Sequence, residues 1–207
     1  MCNITKTFMI LVTGLPASGK TTIATSLAKD LGFQYVGKDQ YKIELYEKYG
    51  FSSFEEKENL NIISEEIMYA RLYSLLKNCN NVIFDKWICK DYSRIDEITK
   101  ELGVEVVVIY LNCNVDVAVS RYNNRIDMGA RHIGLSIKNK YPYVKGYSEV
   151  AYMSLEEMQQ RFELYQEKTF GDYILEVSTD NIDESMYNYQ KIKDFILNII
   201  NEGESKL

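Results

Sequence analysis

The amino-acid sequence predicts an α/β protein whose five-stranded parallel β-sheet is covered by helices on both faces. Two observations lead to this fold class. Short β-rich runs alternate with segments of helical periodicity along the 207 residues, as they do in proteins with parallel sheets. One of these runs, residues 104–111 (VEVVVIYL), is almost continuously apolar, which is typical of a strand buried on both faces. We therefore expect three layers with the sheet in the middle.

Each strand and helix is predicted from its own pattern. The strands correspond to apolar runs at residues 8–13, 34–36, 81–84, 104–111 and 173–177. Between them, apolar residues spaced by three and four predict helices that end at Gly32, cover 39–49, follow Ser53, follow Asp91, cover 114–126, run from Ser154 towards Tyr165, and cover 186–199. The expected helix caps are Asp91, Asn114 and the two capping boxes Ser53–Glu56 and Ser154–Glu157.

The organisation of the chain is simple. No Pro-, Gly- or Ser-rich linker and no repeat is present, so we expect residues 1–207 to form a single domain. Residues 128–148 differ from the rest because they lose helical periodicity and contain three glycines and Pro142. We expect an irregular segment there.

Net charge and apolar run length exclude several functions. The formal net charge is −6, so a nucleic-acid or membrane partner bound through overall charge is not expected, although a local basic channel is compatible with this value. The longest apolar run near the N-terminus, residues 8–12, is too short to span a membrane and lacks the features of a signal peptide. We expect a cytoplasmic location, and no pattern indicates the oligomeric state.

Cysteine and histidine usage argues against a zinc site and against a disulfide framework. The chain has four cysteines without CxxC spacing and a single histidine, His132. We expect free thiols in a reducing compartment.

The segment between the first strand and its helix, residues 14–21 (GLPASGKT), matches the phosphate-binding pattern G-x-x-x-x-G-K-[ST] in its required context. Glycines let successive N–H groups turn inward around phosphate oxygens at a helix N-terminus. The lysine supplies a positive charge between the β- and γ-phosphates, and the threonine hydroxyl is a ligand for Mg²⁺. The predicted nucleotide-binding residues are Gly14, Pro16, Ala17, Ser18, Gly19, Lys20, Thr21 and Thr22.

Other motifs narrow the class of nucleotide-binding protein. A GTPase needs Asn-Lys-x-Asp, and the Asn-Lys of this chain (Asn139-Lys140) lacks the aspartate. Motor-type and AAA-type ATPases usually carry two acidic residues after the strand of the Mg²⁺ site. Here Asp85 is followed by Lys86, which favours transfer to an acceptor over hydrolysis.

Three segments give the chain a resemblance to small P-loop kinases, both the nucleoside-monophosphate-kinase-like enzymes and the group of zeta-toxin-like, chloramphenicol-phosphotransferase-like and polynucleotide 5′-kinase-like proteins. The segments are 14–22 with its helix, 36–42 (VGKDQYK), and the run from Tyr110 that contains Arg121, Arg125 and Arg131-His132-x-Gly134. Together they span residues 8–134. The resemblance implies a three-layer P-loop NTPase fold, ATP and Mg²⁺ as cofactors, and a lid at about residues 128–148.

The same resemblance implies roles for two aspartates. Asp39 follows the second strand, and in these kinases an aspartate here accepts the proton of the acceptor hydroxyl. A simple N-cap is the alternative for Asp39. Asp85 ends the third strand and would join Thr21 in holding Mg²⁺. Lys42 would bind an anionic group of the acceptor or lie in solvent.

The resemblance also implies roles for the arginines. Arg121 and Arg125 are four residues apart and share a helix face, so we expect both guanidiniums to face the cleft, Arg121 as a nucleotide ligand and Arg125 as a catalytic group. Arg131 in the lid would be catalytic beside Lys20 and Asp39, and the lid would exclude water. His132 is either a phosphate ligand or part of the loop.

The aromatic residues and the last loop carry weaker expectations. Tyr141, Tyr143, Tyr147 and Tyr152 either stack on a substrate or reflect the high tyrosine content, and Trp87 is expected to pack rather than stack. Residues 178–181 lie where the relatives hold adenine.

The sequence thus predicts an ATP- and Mg²⁺-dependent kinase that transfers the γ-phosphate to a hydroxyl of a small-molecule acceptor. A polynucleotide 5′-hydroxyl kinase is one alternative, disfavoured by the charge. An ATP-binding regulator that transfers no phosphate is the other. The acceptor itself is not predicted.

Overall fold

The computed structural model describes residues 6–87, 92–164 and 170–204. Its five strands are β1 (Phe8–Gly14), β2 (Gln34–Gly37), β3 (Val82–Asp85), β4 (Glu105–Asn112) and β5 (Tyr173–Ser178). They form one parallel sheet in the order β2-β3-β1-β4-β5, with β1 paired to β3 on one side and β4 on the other. Each strand agrees with its predicted bounds to within one residue, and the predicted fold class is confirmed.

The helices follow the strands as expected. They are α1 (Lys20–Leu31), α2 (Lys38–Tyr49), α3 (Phe54–Lys77), α4 (Ser93–Leu102), α5 (Val115–Asp127), α6 (Ile133–Ser136), α7 (Leu155–Glu163) and α8 (Ser185–Glu204). The single turn α6 and a short 3₁₀ turn at Ile182–Glu184 were not predicted. Asp91, the expected cap of α4, and Tyr165, expected at the end of α7, lie outside the described residues.

Two hydrophobic cores hold the three layers together. Because successive side chains of a strand point to opposite faces, the apolar strand β1 supplies both cores. Met9 and Leu11 belong to the core that contains Met68 of α3 and Ile95 of α4. The residues that alternate with them, including Ile10, belong to the core formed with α1 and α8. The continuously apolar strands are therefore explained by helices on both faces.

The expected helix caps are met in part. Ser154 and Glu157 form a complete capping box at α7. At α3, the Ser53 hydroxyl accepts from the Glu56 N–H, but the Glu56 carboxylate accepts from the N–H of Ser52 and not from that of Ser53. Asn114 occupies the N-cap position of α5 without a side-chain cap, because its amide donates to Asp180 instead (2.8 Å).

The segment 128–148 packs against the junction of α2 and α3. Tyr141 pairs with Phe51 through two backbone hydrogen bonds of 2.8 and 2.9 Å. Both side chains are buried with Tyr46 and Ile137 in a small separate core. The irregular segment therefore has a fixed attachment at the junction of α2 and α3.

Two further sequence expectations concern the cysteines and the membrane. Cys113 is a buried free thiol, but Cys79 takes part in a disulfide bond, so the expectation of free thiols was wrong at that position. Among the described residues, no helix combines the length and the apolar character that a membrane crossing requires.

The core formed with α3 gives a stability prediction. Met68 is fully buried, whereas Ile62 on the same helix is 61% exposed. We expect Met68→Ala to lower the free energy of unfolding by about 2–5 kcal/mol, because it leaves a cavity beside the sheet. Ile62→Ala should change it by less than about 0.5 kcal/mol. Urea unfolding followed by circular dichroism measures both, and equal losses would contradict the assignment of the buried face.

Candidate active site

The carboxyl ends of the parallel strands meet at one edge of the sheet, and a cleft of about 770 Å³ lies there. The glycine-rich loop after β1 forms its floor, Asp85 ends β3, and Asp39 follows β2. The cleft is rich in cationic groups: Lys20, Lys38, Lys42, Lys86, Arg94, Arg125, Arg131 and Arg161 line it. This edge is where ligands bind in open α/β sheets, so the cleft is the candidate active site.

The loop 14–21 has the conformation that its glycines permit. A Cβ on Gly14 would lie 2.5 Å from the carbonyl oxygen of Leu111 on β4, so no larger residue fits. Gly19, with φ of 94°, is in the left-handed region, and so is Ala17, with φ of 64°. Ala17 is a rare non-glycine in this region, which marks a constrained functional loop.

Lys20 is buried at the mouth of the loop. Its Nζ donates to the carbonyl of Leu15 (2.7 Å). Burial lowers the pKa of Lys20 to about 8, and the nearby carboxylates of Asp85 and Asp39 oppose this shift. A buried ammonium with one neutral partner is poised to bind an anion, because an anion restores the stabilisation that burial removed.

Thr21 and Asp85 are brought together as predicted. The Thr21 hydroxyl donates to Asp85 Oδ2 (2.6 Å), and the Tyr35 hydroxyl donates to the same oxygen (3.0 Å). Burial raises the pKa of Asp85, whereas the charge of Lys20 and the two hydrogen bonds lower it, and burial outweighs them.

The residues present fit Mg²⁺. A hydroxyl and a carboxylate oxygen are hard ligands of the type that this ion prefers. The described residues contain no group of three or more His, Cys, Asp or Glu side chains that could hold a metal ion. Magnesium usually keeps several waters and takes its other ligands from substrate phosphates, so two protein oxygens beside a phosphate loop suffice.

Asp39 forms the centre of an ionic cluster. Arg131 Nη2 donates to Asp39 Oδ2 (3.1 Å), and Lys42 Nζ lies 4.0 Å from Oδ1. The N-cap of α2 is Gly37, so Asp39 does not act as the cap. Burial opposes ionisation of Asp39, but Arg131 and Lys42 outweigh it, and the pKa lies below its ordinary value. Asp39 is therefore an ionised carboxylate at neutral pH.

The three predicted arginines have different environments. Arg125 lines the cleft and makes no ion pair or hydrogen bond with the described residues. Arg131 reaches the cleft and lies over the ring of Tyr122, 5.4 Å from its centroid. Arg121 donates to the carbonyls of Thr179 (2.7 Å) and Asp180 (3.0 Å). Arg121 is not among the residues that line the cleft, because these carbonyls engage its guanidinium, and its role as a nucleotide ligand stays a prediction.

His132 and the four tyrosines at positions 141–152 do not line the cleft. His132 Nε2 lies 2.8 Å from Glu47, and Nδ1 accepts from the Gly134 N–H at the start of α6. Tyr141 is buried and donates to the same Glu47. Tyr143, Tyr147 and Tyr152 are exposed and do not line the cleft.

Several residues of the cleft were missed in the sequence. Glu65 on α3 binds Lys38 (2.6 Å) and Lys86, and it joins α2 to the end of β3. These two lysines, through hydrogen bonds and charge, overcome the effect of burial and lower the pKa of Glu65 to about 2. Arg161 on α7 lies over the ring of Trp87, 5.3 Å from its centroid. Glu58, Asn61 and Glu65 at helical spacing form a polar stripe that the sequence does show.

Two buried polar atoms of this region have no hydrogen-bond partner within the described ranges 6–87, 92–164 and 170–204. They are the Ser18 hydroxyl in the phosphate loop and Nε1 of Trp87, two residues beyond Asp85. Buried polar atoms are almost always paired, and exceptions cluster at functional sites. A polar ligand beside the loop would supply the partner that Ser18 lacks.

The fold and the site together define a small P-loop kinase-like protein. A family model described as an AAA domain matches residues 10–138, which is more than half of the chain, and the chain belongs to this family. The family description names a domain and no reaction. Asp85 followed by Lys86 favours a kinase over an AAA-type ATPase, and the curated relatives that match are named as kinases.

Two curated relatives illustrate the similarity. The chain is 28% identical to a cytidylate kinase of Sulfurisphaera tokodaii over 56% of its own length and 62% of that protein. It is 31% identical to an adenylyl-sulfate kinase of Bacillus velezensis over 56% of its length and 59% of that protein. The chain thus spans about three-fifths of these curated relatives.

Among solved structures, a Chloroflexus aurantiacus protein with a provisional kinase name superimposes with a TM-score of 0.73. The match covers 97% of this chain and all of that one at 21% identity, which shows a common fold.

The lysine pair on Glu65 gives a pH prediction. Because the pKa of Glu65 is lowered to about 2 in the folded chain, its ionised form stabilises the fold above about pH 5, and this contribution is lost as the pH falls towards 2. We expect Glu65→Gln to cost about 1–2 kcal/mol at pH 7 after solvent screening, and clearly less at pH 3. Urea unfolding at the two pH values measures the difference.

The neighbouring residue is a matched control. Glu66 pairs with Arg94 in an exposed position, so Glu66→Gln should change stability less than Glu65→Gln at pH 7. A loss for Glu65→Gln that does not depend on pH would refute the charge pairing as its cause.

Proposed function

We propose that the protein is an ATP- and Mg²⁺-dependent kinase that transfers the γ-phosphate of ATP to a hydroxyl group of a small molecule. The observation that carries the proposal is the position of Asp39. Its ionised carboxylate lines the same cleft as Lys20 and the Thr21–Asp85 pair and is held there by Arg131. Phosphate-binding and proton-accepting groups thus share one cleft.

The roles of the phosphate-binding groups follow from their chemistry. The loop N–H groups and Lys20 bind the β- and γ-phosphates, and Mg²⁺, held by Thr21 and Asp85, would neutralise charge on the phosphate oxygens. Arg125 has no partner among the described residues, and a guanidinium in that state is available for the charge that develops on the transferred group. Arg121 acts elsewhere, since its guanidinium supports the loop at 179–180, where the resemblance puts adenine.

Asp39 orients the acceptor and accepts its proton. The acceptor oxygen attacks the γ-phosphorus, the bond from that phosphorus to the bridging oxygen of ADP breaks, and the hydroxyl proton passes to the Asp39 carboxylate and then to water. Because Arg131 and Lys42 lower the pKa of Asp39, it is a weak base. Its larger contribution is to fix the hydroxyl in line with the phosphate, as expected for a loose transition state.

Arg131 lies where it can link phosphate binding to proton acceptance by Asp39. In the structure, the Arg131 guanidinium forms an ion pair with the Asp39 carboxylate. An ATP γ-phosphate beside it would compete for the guanidinium, and the Asp39 carboxylate would then be free to accept from the acceptor hydroxyl. The proton acceptor is therefore released when the phosphate donor is bound, which couples the acceptor site to the donor site.

Two substitutions test the division of roles. We expect Asp39→Asn to lower kcat by about 10²–10⁴-fold with the affinity for MgADP nearly unchanged. Lys20→Ala should abolish turnover and weaken nucleotide binding by about tenfold or more, because it removes a charge-assisted hydrogen bond. Transfer of label from γ-labelled ATP to pooled nucleosides, nucleotides, sugars, aminoglycosides, other antibiotics and 5′-hydroxyl oligonucleotides measures turnover, and calorimetry measures binding. Equal loss of nucleotide binding in both variants would refute the role of Asp39.

The pair of Arg131 and Asp39 predicts a change in pH dependence. Because Arg131 lowers the pKa of Asp39, Arg131→Gln should raise it, and the acidic limb of the kcat/KM profile should move to higher pH. Arg131→Lys keeps a positive charge and should shift the limb less. An unchanged limb in Arg131→Gln would show that Asp39 does not set it.

The two alternatives give different results in the same assay. A polynucleotide kinase would label 5′-hydroxyl oligonucleotides, for which the cationic cleft is the supporting observation. An ATP-binding regulator would label no pool, and any slow hydrolysis would be indifferent to Asp39.

A further inference from the structure

The strand order places the groups that follow each strand in a row along the edge of the sheet. At one side, after β4 and β5, Arg121 holds the carbonyls of residues 179 and 180. The phosphate loop follows the central strand β1. At the other side, after β3 and β2, lie Trp87 and Asp39. If the triphosphate occupies the centre, as in the proposed function on which this inference rests, the acceptor lies on the side of Trp87.

Most cationic groups of the cleft are already paired with carboxylates. Lys38 and Lys86 bind Glu65, Arg94 binds Glu66 through both terminal nitrogens (2.6 and 2.7 Å), and Arg131 and Lys42 lie at Asp39. These charges fix the walls of the cleft relative to one another. Arg125 is unpaired, but it shares the phosphate part of the cleft with Arg131, whose charge, together with burial, lowers the pKa of Arg125.

Arg161 is unpaired on the other side of the cleft. Its guanidinium makes no hydrogen bond and no ion pair with the described residues, and it lies over the ring of Trp87. Glu157, one turn earlier on α7, is held by Ser154 in the capping box. Met158 of α7 is buried against α5, so the helix that carries Arg161 is fixed.

Stacking prepares this guanidinium for a particular kind of ligand. A guanidinium over an aromatic ring keeps its donors free at its edge, where they match the two oxygens of a carboxylate, phosphate or sulfate. The ring also limits the rotamers of the arginine, so less entropy is lost when an anion binds. A neutral acceptor would leave the charge without a partner in a closing cleft, which is unfavourable.

We propose that Arg161, stacked on Trp87, binds an anionic group of the acceptor, so that the substrates are small molecules that carry a carboxylate, phosphate or sulfate besides the hydroxyl that is phosphorylated. Arg161 lies outside residues 10–138, which the family model matches.

The experiment uses the only tryptophan of the chain as its probe. Trp87 fluorescence is measured with the phosphate loop filled by saturating MgADP, so that added anions do not enter it. The ligands are matched sets: glycerol, glycerate and glycerol 3-phosphate; glucose, gluconate and glucose 6-phosphate; cytidine and cytidine monophosphate; and inorganic phosphate and sulfate. The sets separate a carboxylate from a phosphate on the same carbon skeleton.

We expect a saturable change in Trp87 emission with at least one anionic compound. The dissociation constant of the neutral member of its set should be about tenfold or more higher than that of the anionic compound. Arg161→Gln should weaken that binding by about tenfold or more, and Arg161→Lys should restore part of it. Arg94→Gln is the matched control, because Arg94 lines the same cleft but is paired with Glu66, and it should leave anion binding unchanged. Circular dichroism and the unfolding midpoint check that each variant is folded.

Four results overturn the proposal. The first three are a response to neutral and anionic members alike, a response that Arg161→Gln does not weaken, and no response to any anion. A response that Lys20→Ala removes in the presence of MgADP also overturns it, because the anion then lies in the phosphate loop. Failure of the kinase assignment is distinct: anion binding that depends on Arg161 would persist, while labelled phosphate would reach no acceptor.

Discussion

The contact between Gly14 and Leu111 is the constraint on which the site depends. β1 pairs with β4 along its whole length up to this point, and the absence of a side chain on Gly14 lets the backbone turn into the loop while it still touches the Leu111 carbonyl. The turn fixes where α1 begins, and hence where Lys20 and Thr21 stand. Because β3 pairs with β1 on the other side, Asp85 meets the Thr21 hydroxyl without any flexible connection. The register of β1 with β3 and β4 therefore fixes the relative positions of Lys20, Thr21 and Asp85.

The cleft is lined mainly by cationic side chains, although the net charge of the whole chain is negative. The chain has a net charge of −6, yet eight cationic and four acidic side chains of the described residues line the cleft. Glu65 pairs with two lysines and Asp39 with Arg131, whereas Asp85 accepts from the Thr21 hydroxyl and Glu58 from the Asn61 amide. A cleft lined mainly by cationic groups focuses the electric field on anions, even though the net charge of the protein is negative.

The sequence predicted the sheet and the phosphate loop well because both depend on local signals, namely apolar runs and glycine spacing. It also predicted that Asp39 and Asp85 meet the loop, since parallel strands end at one edge. It did not predict that the Arg121 guanidinium turns to the carbonyls of residues 179 and 180, because helical spacing fixes the face on which a residue starts but not the direction of a long side chain. Glu65 and Arg161 were not predicted at all, since their partners Lys38, Lys86 and Trp87 lie on other elements and pair with them only after folding.

The way in which the irregular segment is attached explains how it can respond to a ligand without leaving the fold. Arg131 and His132 are consecutive, but they bind Asp39 in the first turn of α2 and Glu47 in its last turn. Tyr141 adds a second contact to Glu47 and a backbone pairing with Phe51. A phosphate that attracts Arg131 breaks only the contact at the first turn, because the other contacts do not involve the cleft. The helix that carries Asp39 therefore also anchors the segment that carries Arg131, and one ion pair can exchange while the other contacts stay in place.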